Sequence, residues 1–292
     1  MRKDPLLILG AAYLILLVLI AIFGPMIAHA YDQPHQGQRF LPPGSEFWLG
    51  TDEQGQDMFA RIAQGARVSL FIGITVQLIS LAVGIVVGVL GVFAPSWIAA
   101  PLMRLTDAMF AFPDILLAIL IIGVWEPGVV PVIAALAVTA WPGVARLVRA
   151  QVATVKDREF VVASRAMGAP LFFVVTRHVL PQLWGILLAV AMVDLAGTIL
   201  AESTLSFLGI GVLPPEPSWG NLIQAGRVLM NDQPQLLIWP CLFLSLTIFA
   251  LNFVGDGIRA AIDPKSRSLG PGEGTILGRM KARLARGSAS NS

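Results

Sequence analysis

Charged side chains are scarce in this sequence of 292 residues. Asp, Glu, Lys and Arg together make up 13% of it, whereas soluble domains carry about 25%. Cysteine is scarcer still. The sequence has one, Cys241, which lies inside an apolar stretch. A disulfide within the chain is therefore excluded, and the redox compartment stays open. With 56% hydrophobic residues, the composition indicates a membrane protein.

Long apolar runs take the place of the missing charge. A spanning helix needs about 20 mostly apolar residues, and six runs approach that length: residues 6–28, 70–93, 105–125, 129–148, 183–205 and 236–254. Their continuity does not fit the alternating strands of about ten residues in an outer-membrane barrel. The sequence predicts an all-α polytopic membrane protein with six transmembrane helices.

The basic residues predict the orientation of the spans. With the N-terminus inside, 16 of the 20 Lys and Arg residues lie inside, and the four outside are Arg39, Arg61, Arg67 and Arg227. Because Lys and Arg concentrate in cytoplasmic loops, both termini are predicted to be cytoplasmic.

This orientation divides the chain into regions. We expect a cytoplasmic N-terminus (1–5), a first transmembrane helix (6–28), a periplasmic segment (29–67), a five-helix core (68–258) and a basic cytoplasmic tail (259–292). The core contains a cytoplasmic loop over 149–182 and a periplasmic loop over 206–235.

The first apolar run has a second interpretation. Arg2 and Lys3 precede it, and it ends near Ala28-His29-Ala30, as in a signal peptide with an A-x-A cleavage site. The apolar part of a signal peptide is about 7–15 residues long, whereas this run has about 23. The length favours an uncleaved span.

The segments beside the second span carry local signals. Turn residues stand at Pro42-Pro43-Gly44, a short helix is predicted over 57–65, and Thr51-Asp52 suits a helix N-cap. A solvated external loop explains this segment equally well. Gly84, Gly88 and Gly91 form a small-residue face that would let a neighbouring helix approach closely. Residues 94–104 are expected to form a short inside turn.

The loop between the fourth and fifth spans predicts two short helices. Residues 159–167 indicate the first, which Gly168 would end in the left-handed conformation. Pro170 suits the first turn of the second helix, and Pro181 is expected to stop it. The result is a helix–turn–helix unit on the cytoplasmic side.

This unit is too small to bury its own apolar side chains. About 24 residues cannot form a core for Phe160, Val161, Val162, Met167, Phe172, Phe173, Val174 and Val175. The lipid headgroup layer, the ends of the chain's own helices and a separate protein are equally acceptable covers.

The spacing in this loop resembles the EAA loop of ABC-importer membrane subunits, which reads E-A-A, three residues, Gly, nine residues, Ile, one residue, Leu-Pro. Here Val162-Ala163-Ser164 is followed by Gly168 and then by His178-Val179-Leu180-Pro181 at the same spacing. Ala163, Gly168 and the Leu-Pro pair match. Val162 replaces the Glu, Ser164 the second Ala and His178 the Ile.

Three further segments narrow the resemblance. "WLGTDEQGQDMFARIAQGARVSL", "ESTLSFLGIGVLPPEPSWGNLI" and "GDGIRAAIDP" resemble the second membrane subunit of dipeptide, oligopeptide and nickel permeases, and the similarity runs over about residues 6–264. It implies the type I ABC importer permease fold with a cytoplasmic coupling helix, and ATP-driven import of peptides or a related small solute such as nickel. The implied partners are a second homologous permease subunit, two ATP-binding subunits, and a periplasmic or lipid-anchored substrate-binding protein.

The resemblance also implies which residues contact the ATPase. They are Arg158, Phe160, Val162, Ala163, Ser164, Arg165, Met167, Gly168 and Leu171. The G-x-x-x-x-G-K-[ST] phosphate-binding motif is absent from the sequence. We therefore expect ATP and Mg to bind the partner ATPases, and we expect no cofactor, metal site or catalytic residue in this chain and no nucleic-acid partner.

The second periplasmic loop is a candidate contact for the substrate-binding protein. Pro215, Trp219 and Asn221 are the candidate residues, with Trp219 as an aromatic anchor. A structural lid is an equally good interpretation of this segment.

Four carboxylates lie within or beside the spans. Because such residues usually face the protein interior, Asp114, Asp194 and Glu202 are expected to line the translocation path or a subunit interface, with hydrogen bonding as the alternative for Glu202. Asp107 is expected to pair with Arg104 at i,i+3.

Two other functions are alternatives to import. An intramembrane aspartyl protease needs two facing carboxylates, and Asp256 has no evident second Asp opposite it. An ion-coupled secondary transporter is the stronger alternative, and it would need no loop for docking an ATPase.

Overall fold

The computed structural model describes residues 5–35 and 37–262, and helices dominate them. The α-helices are α1 (Pro5–Ile27), α2 (Met58–Phe93), α3 (Ser96–Met109), α4 (Asp114–Ile122), α5 (Val129–Val155), α6 (Glu159–Ala166), α7 (Leu171–Val174), α8 (Leu180–Phe207), α9 (Trp219–Val228) and α10 (Gln235–Ile262). A π-helical turn, Val175–Val179, joins α7 to α8. Most of the expected N-terminal segment and nearly all of the basic tail lie outside the described residues.

Five of the predicted spans are continuous helices. They are α1, α2, α5, α10 and the helix Leu171–Phe207, which includes α7, the π turn and α8. The third predicted span is broken instead, because α3 and α4 meet at 91°. Counting this bent pair as one span gives six, as the sequence predicts.

Proline explains the break between α3 and α4. Pro113 has no backbone N–H, and it disfavours the helical conformation of the residue before it. The break spans Phe110 to Pro113, and Asp114 becomes the first residue of α4. The predicted inside turn over 94–104 is wrong, since only Ala94 and Pro95 separate α2 from α3.

Glycines allow α2 and α5 to pack closely. A Cβ added to Gly84 would lie 2.5 Å from Val144 Cγ1, and one added to Gly88 would lie 2.7 Å from Val148 Cβ. Gly91 faces Met103 of α3 in the same way. The predicted small-residue face therefore packs against helices of the same chain.

Substitution of Gly88 by alanine is expected to lower the melting temperature of the purified chain. The new methyl group would meet Ala145 O and Val148 Cβ, both at 2.7 Å, and overpacking of this kind costs about 1–3 kcal/mol. Circular dichroism during heating in detergent measures the change. Gly197→Ala is the matched control, because a Cβ there meets nothing within 4 Å and alanine favours helix. Equal melting temperatures for both variants would contradict this account of the packing.

The external segment before α2 is folded. Phe47 is 2% exposed, and its ring lies 4.9 Å from the ring of His29 and 5.3 Å from that of His35. His29 Nδ1 also lies 3.2 Å from Asp57 Oδ2. A solvated loop is therefore the wrong interpretation of this segment.

The N-cap of α2 lies later than expected. Asp57 Oδ1 accepts hydrogen bonds from the N–H groups of Phe59 (2.8 Å) and Ala60 (3.3 Å), so the predicted helix over 57–65 is the beginning of α2. The predicted cap at Thr51-Asp52 is wrong. Asp52 instead accepts the N–H groups of Gln54 and Gln56, each at 2.9 Å, and pairs with Arg61.

Candidate functional sites

The cytoplasmic loop contains the predicted helix–turn–helix unit. Gly168 follows α6 with φ +83°, in the left-handed region that L residues with a Cβ disfavour. The Ala169 N–H bonds to Ser164 O at 3.2 Å and closes the turn. Gly168 therefore ends the first helix as predicted. Pro170 stands at the N-cap of α7, one residue before the first turn in which it was expected.

The second helix of the unit does not stop at Pro181. It continues through the π turn into α8, and the Leu180 N–H bonds to Val175 O, five residues back. A wider turn shifts the hydrogen-bonding register, so a proline in the first turn of α8 does not interrupt the ladder. The loop is thereby joined without a break to a membrane-spanning helix.

One face of this unit packs against the chain itself. Val161, Val174 and Val179 are fully buried and share a hydrophobic cluster with Val152 of α5 and Leu183 of α8. Ser164 is 4% exposed, so its side chain is not available to a partner. For these buried side chains of the loop, packing on the chain's own helices is the correct interpretation.

The other face remains uncovered. We call it the exposed loop face; Met167 is 82% exposed and Phe172 79%, and its other members are Phe160, Val162, Leu171 and Phe173. Arg158, Ala163, Arg165 and Gly168 are also exposed around it. Phe172 and Phe173 lie on this face although they are not among the predicted contact residues, because four apolar residues in succession after Leu171 hide which side faces inward.

A cavity of about 500 Å³ lies in the bundle between α2, the α3–α4 break, α5 and α8. Its polar lining consists of Gln77, Asp114, Thr139, Asp194 and Thr198. The structure brings Asp114 and Asp194 to one cavity, although they lie on different helices. Asp114 reaches it because α4 begins at the break.

Glu202 is not part of this cavity. Its side chain is fully buried and accepts hydrogen bonds from Ser69 Oγ and Ser206 Oγ, each at 2.8 Å, and from Ser203 Oγ at 3.4 Å. A place on the path is therefore the wrong interpretation, and hydrogen bonding is the correct one. The carboxylate links α2 to α8.

Asp107 pairs with a different arginine from the one expected. Its Oδ1 accepts a hydrogen bond from Arg146 Nη2 of α5 at 2.8 Å. The guanidinium of Arg146 also lies 3.9 Å from the ring centre of Phe110, which lines the cavity. The expected pair with Arg104 is wrong, because the side chain of Asp107 points towards α5 and not along α3 to Arg104.

The periplasmic loop is built around a buried tryptophan. Trp219 is fully buried, and its Nε1–H donates to Ile62 O at 3.3 Å. Asn221 is 7% exposed and forms a capping box with Ser218. Trp219 and Asn221 are thus wrong as contacts for a binding protein, and the structural interpretation is correct. Pro215 is exposed.

Glu216 ties this loop to the external segment. Its Oε1 accepts a hydrogen bond from Tyr31 Oη at 3.2 Å, and its Oε2 accepts one from Gln64 Nε2 at 3.4 Å. Burial raises the pKa of Tyr31, and the neighbouring Glu216 carboxylate raises it further.

Among residues 5–35 and 37–262, His, Cys, Asp and Glu side chains form no group of three or more that could hold a metal ion.

Comparisons with known families match two blocks of the sequence. Residues 80–268 match the family described as binding-protein-dependent transport system inner membrane component. Residues 1–43 match the N-terminal transmembrane domain of oligopeptide transport permease C.

Curated relatives cover most of this chain and of their own length. The dipeptide transport system permease protein DppC of Bacillus subtilis (strain 168) is 36% identical over 91% of this chain and 84% of its own. The di/tripeptide transport system permease protein DppC of Pseudomonas aeruginosa (strain UCBPP-PA14) is 38% identical, with 89% and 88% covered. The glutathione transport system permease protein GsiD of Escherichia coli O6:K15:H31 (strain 536 / UPEC) is 35% identical, with 90% and 88% covered.

Solved structures share the fold. A chain of the MetNI methionine ABC transporter, in an inward-facing conformation, aligns with a TM-score of 0.59 and 21% identity. It covers 70% of this chain and 98% of the transporter chain.

Proposed function

We propose, since the chain belongs to the family of binding-protein-dependent transport system inner membrane components, that it moves short peptides into the cell while separate subunits hydrolyse ATP. The chain is a multi-pass subunit of the bacterial inner membrane with the fold of an ABC importer permease. The peptide cargo is proposed from relatives that are named for dipeptides, di/tripeptides and glutathione. Nickel is the alternative small solute.

The exposed loop face is the surface that we propose couples ATP hydrolysis to transport. Its inner side is fixed by buried valines, and its second helix continues into α8, so a force on the loop reaches the bundle. Its outer side has aromatic and aliphatic side chains that no residue of the described part of the chain covers, and Arg158 and Arg165 flank them. A separate ATP-binding subunit is the partner we propose for this face.

The other partners follow from the same assembly. We propose a second homologous permease subunit, two ATP-binding subunits that hold ATP and Mg, and a substrate-binding protein on the periplasmic side. Alternating access would then open the cavity between α2, α5 and α8 to one side of the membrane at a time.

The proposal is tested by the energy source of transport. The full chain, purified with its accompanying subunits and reconstituted in vesicles, is expected to transport labelled alanine dipeptide when ATP is supplied on the side of the exposed loop face. Collapse of ion gradients by an ionophore should leave this uptake unchanged. Uptake that persists without ATP and stops with the ionophore would instead establish the ion-coupled secondary transporter. Labelled Ni²⁺ in place of the dipeptide tests the alternative cargo.

A further inference from the structure

The broken span contains a helix that few buried side chains hold in place. Of the 14 residues of α3, only Met103 and Thr106 are buried. Thr106 Oγ1 donates to Leu102 O at 2.9 Å, and this bond stays within α3. Met103 packs against Gly91 of α2, where an added Cβ would lie 2.9 Å from its Cε. The position of α3 on the bundle therefore depends on a small number of contacts.

The helical backbone is interrupted at both ends of α3. Pro95 stands before the helix in an extended conformation with ψ 153°, and residues 110–113 separate α3 from α4. Pro95 and Pro113 have no backbone N–H, so neither can continue a helical hydrogen-bond ladder. A rigid helix between two non-helical joints is a unit that turns as one body when a protein changes conformation. The backbone of α3 has this construction.

One polar contact joins α3 to α5. Asp107 Oδ1 accepts a hydrogen bond from Arg146 Nη2 at 2.8 Å. Within residues 5–35 and 37–262, it is the one side-chain hydrogen bond between α3 and another helix. The Arg146 guanidinium also lies 3.9 Å from the ring centre of Phe110, the residue at which the break begins. Both charged side chains are exposed, Asp107 by 67% and Arg146 by 56%. Because an exposed ion pair is weak, it can open and close while the chain stays folded.

This contact lies beside the central cavity. Phe110 of the break and Gly143 of α5 both line the cavity. Asp107 stands three residues before Phe110, and Arg146 stands three residues after Gly143, so the ion pair is about one helical turn away. From Arg146 the chain runs along α5 towards the exposed loop face. The ion pair is therefore on the cytoplasmic side of the cavity.

We propose that Asp107, Arg146 and the ring of Phe110 form a latch that holds α3 against α5 and narrows the cytoplasmic opening of the cavity. When the ion pair breaks, α3 turns about Pro95 and residues 110–113, and Phe110 leaves the edge of the cavity. The inference rests on the proposed function only for what passes through this opening. The latch itself is a property of this chain and operates whatever the cargo is.

A single thiol in the cavity measures the opening. Because Cys241 is the one natural cysteine, Gly143→Cys with Cys241→Ser gives a reference chain with one thiol. A Cβ at Gly143 meets nothing within 4 Å, so the new side chain displaces no neighbour.

The assay compares a large reagent with a small one. Inside-out membrane vesicles that contain the reference chain and its accompanying subunits are treated, without ATP, with a polyethylene-glycol maleimide or with N-ethylmaleimide. The ratio of the two rates reports the width of the opening on the cytoplasmic side. Both reagents are uncharged, so a change in the reactivity of the thiol alters both rates alike and leaves the ratio unchanged.

Loss of either charge is expected to widen the opening. Asp107→Asn and Arg146→Gln should each raise the ratio about fivefold, as expected for the loss of an exposed ion pair and its ring contact. Exchange of the charges, Asp107→Arg with Arg146→Asp, rebuilds the ion pair and should bring the ratio back to within about twofold of the reference chain. Arg104→Gln is the matched control, because Arg104 is exposed on the same helix, and it should leave the ratio unchanged.

The exchange of charges distinguishes a latch from a structural defect, which the exchange would not repair. A ratio that stays raised in the exchanged chain, that is unchanged in both single variants, or that rises equally in Arg104→Gln would overturn the latch. If the charge variants cannot be purified, Phe110→Leu serves instead, because Phe110 is exposed and both charges remain. An unchanged ratio in that variant would also overturn the latch.

The assay is independent of the transport proposal because it contains neither ATP nor cargo. The expected set of ratios supports the latch even if reconstituted vesicles show no ATP-driven uptake. Conversely, ATP-driven uptake with unchanged ratios would leave the transport proposal standing and remove the latch.

Discussion

Replacement of Gly168 by valine is expected to abolish ATP-driven uptake while the chain stays folded in the membrane. At φ +83°, a β-branched residue is strained by about 1–3 kcal/mol, so the turn between α6 and α7 would adopt another conformation. Nothing lies within 4 Å of a Cβ at this position, so the effect is confined to the backbone. The exposed loop face would be divided into two halves with a different relative orientation. Co-purification of ATPase activity and uptake of labelled dipeptide measure the loss.

Gly168→Asn is the matched control for this prediction. Asparagine adopts the left-handed conformation more readily than other residues with a Cβ, so this variant should keep most of the uptake. The valine variant should melt only a few degrees below the asparagine variant, because Gly168 is exposed and outside the buried valine cluster. Full uptake by the valine variant would show that the angle between α6 and α7 is irrelevant to coupling.

Substitution of Glu202 by alanine is expected to destabilise the chain by about 3–5 kcal/mol. The change leaves the buried hydroxyl groups of Ser69 and Ser206 without their acceptor, and it opens a space between α2 and α8. The melting temperature in detergent and the yield of purified chain measure the effect. Uptake should fall only in proportion to the amount of folded chain, because Glu202 does not line the cavity.

Glu202→Gln tests whether the hydrogen bonds or the size of the side chain matter. Glutamine keeps one acceptor oxygen and the volume, so it should recover more than half of the lost stability. Ser69→Ala removes only one of the bonds, and a loss of about 1 kcal/mol is expected. If the alanine and glutamine variants both have the melting temperature of the wild-type chain, the hydrogen bonds of Glu202 to the serines do not hold α2 to α8.

The sequence was informative about spans and uninformative about bends. Hydropathy predicts the number and length of apolar spans, but it carries no information on where a span bends. The apolar run over 105–125 therefore predicts one helix, although the structure is broken at Pro113. The same limit applies to Asp107, whose partner on α5 depends on how two helices pack.

Local rules predicted the cytoplasmic loop better than the periplasmic one. Gly168 and Pro170 fix the turn by backbone geometry alone, so its shape could be predicted. The sequence predicts the wrong role for Trp219, because an aromatic residue in an external segment resembles an anchor for a partner. The ring of Trp219 packs against Gly65, where an added Cβ would lie 3.2 Å from it. These two residues are far apart in the sequence, so their contact could not be predicted from it.

The right angle between α3 and α4 has a consequence for the thickness of the barrier. The nine residues of α4 rise about 14 Å, which is roughly half of the 30 Å of hydrocarbon that a lipid bilayer presents. On its own, α4 is therefore too short to cross the hydrocarbon, and the remaining depth has to be covered by its neighbours in the bundle. Asp114, the first residue of α4, is exposed, so water that enters at the break can hydrate its carboxylate.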